Sequence, residues 1–395
     1  MATIAKSKSI LSFSKILLII AGLWKLKLPV KHPIAIIVYA LYSTFITVYF
    51  ATLALSMTVQ FGITMATKFA GPDTFKQLSF VIVLIVTYYI TLVIRSRSFT
   101  DLVARVEIEE MRLMLLEDDE MLLSHLKEIR FSNVVSTTFL VLTIVTGATL
   151  IWENFWSNMK VVTYNRVHNA SLERPILFDL YYFNVNKHKH ENFVLMVTEV
   201  VMAFNTIVVV STKGIVYACI TFAVSALKCL QIRFRKLGIR QDRALADLKL
   251  HVVEHYRIME FITNLNGVIK NLLLLEYFLN SLNLAAVSVQ FLTYDPKMLL
   301  APACYLCFVL IQVFILGLTT DEIKVQSLAL SEALYDSPWH NQNEEVKKMI
   351  LTVLTRTRRP LELTIGPFNP MTMQSALAIL KASYSYVSLM AQNSQ

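Results

Sequence analysis

Charge is what this sequence has least of. Only 16% of its 395 residues are Asp, Glu, Lys or Arg, against about 25% in soluble domains. So few charges cannot cover a water-facing surface of this size, which excludes an ordinary soluble enzyme, a disordered chain and a nucleic-acid-binding protein, although the net charge is +9. Nine Gly and ten Pro leave little material for loops, so long helices are expected. The four cysteines, Cys219, Cys229, Cys304 and Cys307, sit in apolar or helical surroundings and offer no disulfide framework. Cys304-x-x-Cys307 lacks the second pair that a metal site of that spacing needs, so no metal and no cofactor is expected.

What the chain has instead is apolar residues, 55% of the total, gathered in long runs. A membrane-spanning helix needs roughly 20 mostly apolar residues. Seven stretches qualify: one within 33–67, then 77–94, 131–152, 192–212, 272–293, 298–320 and 370–392. None alternates as a barrel strand would. The expected fold class is therefore all-α, a polytopic membrane protein with seven transmembrane helices. Phe13–Trp24 (FSKILLIIAGLW) is apolar but short and flanked by lysines, and reads as an amphipathic or re-entrant helix rather than a span.

Lys and Arg collect in cytoplasmic loops. With the amino terminus inside, 27 of the 37 basic residues fall on the cytosolic side and eight outside, which also puts the carboxy terminus outside. The one glycosylation acceptor, Asn169-Ala170-Ser171, falls in an outer loop under this topology. The organisation that follows is a cytosolic amino terminus (1–32) and spans one to four (33–223) with an aromatic-rich outer loop (153–191). A cytosolic helical extension (224–271), spans five and six (272–320), a cytosolic anchor region (321–369) and the last span (370–395) complete it. Glu344–Thr357 has the pattern of a short amphipathic helix, stopped by Arg359-Pro360.

The carboxy-terminal sixth reads Ala333-Leu334-Tyr335, then Trp339, a helix ending in Arg-Arg-Pro, then LELTIGPF and SALAILKASYSYVSLM; Gly22-Leu23-Trp24 stands near the amino terminus. In these motifs, and in its length and span number, the chain resembles an insect odorant receptor. It is too short between spans four and five to resemble the family's shared co-receptor, and resembles a ligand-tuning subunit. The resemblance implies an odorant-gated, non-selective cation channel assembled as a heterotetramer with co-receptor subunits, in the plasma membrane of a sensory dendrite. Its ligand would be a small volatile organic molecule, and it would be no enzyme. A gustatory-type receptor channel is the alternative, although that family's usual ending is absent. A G-protein-coupled receptor is a more remote one, since its Asp-Arg-Tyr and Asn-Pro-x-x-Tyr motifs are missing.

The resemblance also implies sites. The last helix would line the pore, with its most polar face at Lys381, Ser385, Leu389 and Gln392 and its packing face at Ile379, Ser383, Tyr386 and Met390. The family's gate matches Leu389, Gln392 and Asn393, the last departing from the usual aliphatic residue. The odorant pocket would lie in the outer half of spans two, three, four and six. Those spans supply Ile85, Tyr88 and Tyr89; Thr143, Gly147, Ile151 and Trp152; Met196, Glu199 and Val200; and Tyr305 with Phe308. Helix packing accounts for each of them equally well except Gly147, whose small size at a cavity wall would leave room. Glu199 is the most pointed, because a carboxylate inside a span is costly and usually functional. It either meets a ligand or Tyr88, or stands near the aqueous interface.

Overall fold

The computed structural model describes residues 9–24, 33–67, 72–115, 118–181, 191–238, 243–293 and 299–393. Ten α-helices lie among them: α1 (Ser12–Ile20), α2 (Pro33–Thr67), α3 (Pro72–Ile94), α4 (Arg97–Leu115), α5 (Asp119–His168), α6 (Glu191–Arg235), α7 (Ala244–Thr293), α8 (Leu300–Tyr335), α9 (Glu344–Thr357) and α10 (Met373–Asn393). The described residues contain no strand, only an isolated bridge between Thr364 and Pro370.

From length and composition, α2, α3, α5, α6, α7 and α8 can each cross a bilayer. The seventh span, α10, is less apolar because Gln374, Lys381 and four serines interrupt it. Large apolar side chains are exposed along α2, among them Val38, Leu41, Phe45 and Leu55, as expected of a helix bathed in lipid. By contrast α6 is buried on every side from Val208 to Leu227. A helix apolar all round belongs at the centre of a bundle, and α1, α5, α7 and α8 surround it.

Three contacts mark the level of the membrane. At one end Lys228 of α6 bonds Glu128 of α5 at 2.9 Å and Glu322 of α8 at 3.1 Å. At the other, the Ala301 N–H at the start of α8 donates to Glu153 of α5 at 2.8 Å. The α8 residues between those levels rise about 30 Å, the thickness of a hydrocarbon core. Charge is dense beyond the first level, where α4, α9, the last two turns of α6 and the long lower half of α7 lie. We call this the basic end and the other the outer end.

Helix α1 enters the bundle from the basic end without crossing it. Gly214 of α6 makes room for it: a Cβ there would lie 3.1 Å from Ser14 Oγ. Its start is held by the buried Glu110, which accepts from Ser9 Oγ (2.6 Å) and Ile10 N (2.7 Å). The same carboxylate meets His125 Nε2 at 3.0 Å, and His125 Nδ1 meets Ser225 Oγ at 2.7 Å. Gly22 then turns the chain at φ +72°, a conformation that favours glycine.

Two boundaries differ from the sequence expectation. Helix α5 continues through the supposed outer loop to His168, because nothing in 153–168 breaks a helix before Asn169 takes the left-handed capping position at φ 47°. On α6, Lys228 rather than Thr212 marks the basic-end boundary, since Lys213 is paired inside the bundle and ends no span. The loop aromatics Tyr182 and Phe183 lie outside the described residues.

Candidate functional site

At the outer end α3, α5, α7 and α8 meet around a cavity of about 40 Å³. Phe80, Leu150, Pro302 and Tyr305 give it apolar walls, and Glu153 and Gln290 line it with polar groups. Each is placed by its helix. Glu153 faces inward because it caps the start of α8. Tyr305 is fixed by Asn283 of α7, whose amide donates to its hydroxyl at 2.9 Å. Ligand sites in proteins run roughly 300–1,000 Å³, so this one is closed and must widen to admit an odorant-sized molecule.

A line of aromatic contacts leads from the cavity into the bundle. Tyr305 stacks on Phe308 with centroids 6.3 Å apart, Phe308 meets Phe139 edge to face at 6.5 Å, and Phe139 stacks on Tyr217 at 5.1 Å. The Tyr217 hydroxyl donates to the Gln312 carbonyl at 3.4 Å. Beside Tyr217 is Glu276 of α7, paired with Lys213 of α6 at 3.0 Å. Both ionic side chains are more than nine-tenths buried. Lys213 stands about four helical turns above Lys228, so this pair lies within the membrane thickness.

The residues expected of the pocket divide into two groups. Tyr305 lines the cavity, Phe308 lies one turn below it, and Ile151 adjoins its Leu150 wall. Ile85, Tyr88 and Tyr89 are half-buried on α3 against the core. Thr143 is half-buried and bonds the Phe139 carbonyl of its own helix at 2.6 Å. Gly147 is buried where α5 crosses α6, facing Thr206 at an ordinary contact distance (a Cβ there would lie 3.5 Å from its Oγ1) and not the outer cavity. Trp152, Met196 and Val200 are exposed and line no cavity among the described residues. Their helices turn Asn154, Thr198 and Val201 inward instead, and Trp152 stacks outside on Trp156 at 6.4 Å. Glu199 is half-exposed on the same outer stretch.

The polar contributors from α7 escaped the sequence reading, which left span five out of the pocket. A signal was present. Glu276, Asn280, Asn283 and Gln290 are all buried and recur at i, i+4, i+7 and i+14, one face of an otherwise apolar helix.

Helix α10 packs on α7 and α8. It buries Ile379 and Ser383 and exposes Lys381 and Ser385, whose hydroxyl donates to the Lys381 carbonyl at 3.0 Å. The side chains of Tyr386, Leu389, Met390, Gln392 and Asn393 lie outside the described residues. Asn169 is exposed at the end of α5.

Comparison with known proteins gives a consistent picture. A family model described as 7tm Odorant receptor matches residues 73–384. Odorant receptor 10 of Aedes albopictus is 27% identical over 175 residues, 43% of this chain and 47% of that protein. Odorant receptor Or2 of Anopheles gambiae is 25% identical over 183 residues, 44% and 48% of the two chains. The chain thus spans about half the length of the curated relatives it matches. Among solved structures, the insect olfactory receptor OR5 from Machilis hrabei superposes with a TM-score of 0.78 at 16% identity, over 97% of each chain. The same receptor in complex with eugenol gives 0.76 at 17% identity, again over 97% of each.

Proposed function

The chain belongs to the insect 7tm odorant receptor family, and from that premise we propose that it is the ligand-tuning subunit of an odorant-gated, non-selective cation channel. As a member of that family it is a multi-pass membrane receptor and not an enzyme. Co-receptor subunits would complete the channel, a heterotetramer in the plasma membrane of a sensory dendrite. Its amino terminus and basic end would face the cytosol, as the 27 basic residues on that side favour.

The observation that carries this reading is the outer cavity with its aromatic continuation. Apolar walls with a few polar groups are what a small volatile molecule requires. Phe80, Leu150 and Tyr305 supply the walls, and Lys76, Gln290 and Glu153 supply polar groups. The related receptor solved with eugenol, a small aromatic molecule, supports that ligand class. Widening the cavity displaces Tyr305, and through Phe308, Phe139 and Tyr217 that displacement reaches α6, whose Lys213 pairs with Glu276 of α7, the helix that packs against α10.

The test is expression of the receptor in cells with and without co-receptor subunits, recording current against a panel of volatiles. The expected result is a cation current that needs both the co-receptor and a subset of the panel. A panel-wide lack of current at normal surface expression with the co-receptor would overturn the proposal.

A further inference from the structure

At the basic end, far from the outer cavity, α4, α6 and α7 diverge around a second cavity of about 670 Å³. Its floor is Phe222 and Ala226 of α6 with Ile258 and Phe261 of α7, Phe222 and Phe261 meeting edge to face at 5.3 Å. Its rim carries four arginines, Arg105, Arg112, Arg233 and Arg257, against three glutamates. Arg105 pairs with Glu260 at 3.1 Å, Arg112 with Glu109 at 2.7 Å, and Arg233 with Glu254. Two guanidinium groups keep donors in reserve. Arg233 Nη2 is buried without an acceptor, and Arg257 is exposed with no ion pair among the described residues. A buried N–H without an acceptor is costly, so an anion delivered beside Arg233 is stabilised there.

The level of this cavity narrows the choice of anion. Lys228, whose pairs with Glu128 and Glu322 mark the membrane boundary, lies between Ala226 and Arg233 on the same helix. Apolar floor therefore stands on the hydrocarbon side of that boundary and guanidinium on the water side. A phospholipid has this polarity, acyl chains above and phosphate below. Basic groups at a membrane surface gain about 1 kcal/mol each from acidic lipids, and a choline headgroup forgoes that gain by carrying its own positive charge.

We propose that this cleft between α4, α6 and α7 binds an acidic phospholipid from the leaflet at the basic end. The acyl chains lie on Phe222, Ala226 and Phe261, and the headgroup takes the free donors of Arg233 and Arg257.

The full-length receptor, reconstituted in phosphatidylcholine nanodiscs, tests this with photoreactive analogues of phosphatidylserine and of phosphatidylcholine. The serine analogue should label peptides spanning 105–113, 222–233 or 250–261 in preference to the choline analogue. Ala226→Trp, which fills the floor, should cut that labelling about tenfold or more, a difference of one decade in affinity. Arg257→Gln should cut it several-fold. Since Arg257 is exposed, that second variant leaves the fold intact and keeps the test decisive should Ala226→Trp misfold. Added inorganic phosphate should not protect, because the acyl chains contribute to binding. Equal labelling by the two analogues, indifference to both variants, or disulfide trapping of two chains through Ile108→Cys, which would fill the cleft with a second copy, overturns the proposal.

Discussion

Replacing Phe308 by Leu keeps the bulk of this buried side chain but removes a ring that touches both Tyr305 and Phe139. An aromatic pair contributes about 0.5–1.5 kcal/mol beyond its buried area. The odorant concentration for half-maximal current should therefore rise roughly 2- to 13-fold, while ion selectivity stays unchanged. A dose–response curve superimposable on wild type would detach Phe308 from ligand sensing. The Lys213–Glu276 pair obeys a harsher rule. Removing one partner of a buried ion pair strands the other charge, at a cost of about 3–5 kcal/mol, whereas replacing both by apolar residues is often neutral. Glu276→Gln should sharply reduce receptor at the cell surface, and adding Lys213→Met should restore much of it. Surface biotinylation measures both, and equal losses in single and double variants would deny the pair a structural role. At this scale the sequence was only partly informative. Tyr305 and Phe308 are legible as an i, i+3 aromatic pair on one helix. That Glu276 meets Lys213, 63 positions away, depends on how α6 and α7 pack, and no local pattern carries it.

Among the helices, the lower half of α7 outside the membrane carries two histidines whose titration is displaced by burial. Burial, helped by Arg356, lowers the His255 pKa from 6.5 to about 4, and His251 is lowered to about 4 by burial and Arg233. The folded state then binds fewer protons than the unfolded state between pH 6.5 and pH 4. Stability contributed by neutral His255 is complete above pH 6.5 and is lost as the pH falls toward 4, a decline on the order of 2–3 kcal/mol. Thermal unfolding of the detergent-solubilised receptor should show a lower Tm at pH 4.5 than at pH 7. His255→Gln, which cannot take up a proton, should flatten that slope; an unchanged slope would place the acid sensitivity elsewhere. Helix positions were largely readable in advance. Each of α2, α3, α5, α6 and α7 contains one expected span, α8 and α10 begin at Leu300 and Met373, just inside the spans expected at 298–320 and 370–392, and α9 occupies Glu344–Thr357 as its pattern indicates. It begins with Asn343 Oδ1 accepting from the Val346 N–H at 2.9 Å. Where a span end was misplaced, on α6, a charged residue in the sequence looks like a boundary, yet Lys213 is satisfied by a partner from a distant helix; on α5 the helix itself runs on past Glu153, the outer membrane level.

For the whole molecule, the distribution of basic residues makes orientation testable: tags at both ends, stained without permeabilisation, should reveal only the carboxy-terminal one. If that holds, α10 rises from the cytosolic side, and its exposed face has to meet something. Lys381 and Ser385 cannot face lipid cheaply, because a cation at the bilayer centre costs several kcal/mol. Ile379 and Ser383 already occupy the side toward α7 and α8. In the proposed tetramer, the side of α10 away from α7 and α8 would turn to the shared axis, where a water-filled pore would accommodate the Lys381 ammonium. A fixed positive charge there repels permeating cations, more strongly than in bulk water because the pore walls are poorly polarisable. Lys381→Glu should reverse that field, raising single-channel conductance and relative calcium permeability. Odorant ranking should persist, since Lys381 lies outside the outer cavity. If co-receptor subunits complete the channel as proposed, they lack this substitution, and the effect should grow with the number of tuning subunits in the assembly. Wild-type conductance and permeability in Lys381→Glu receptors at normal surface expression would take this face of α10 out of the ion path.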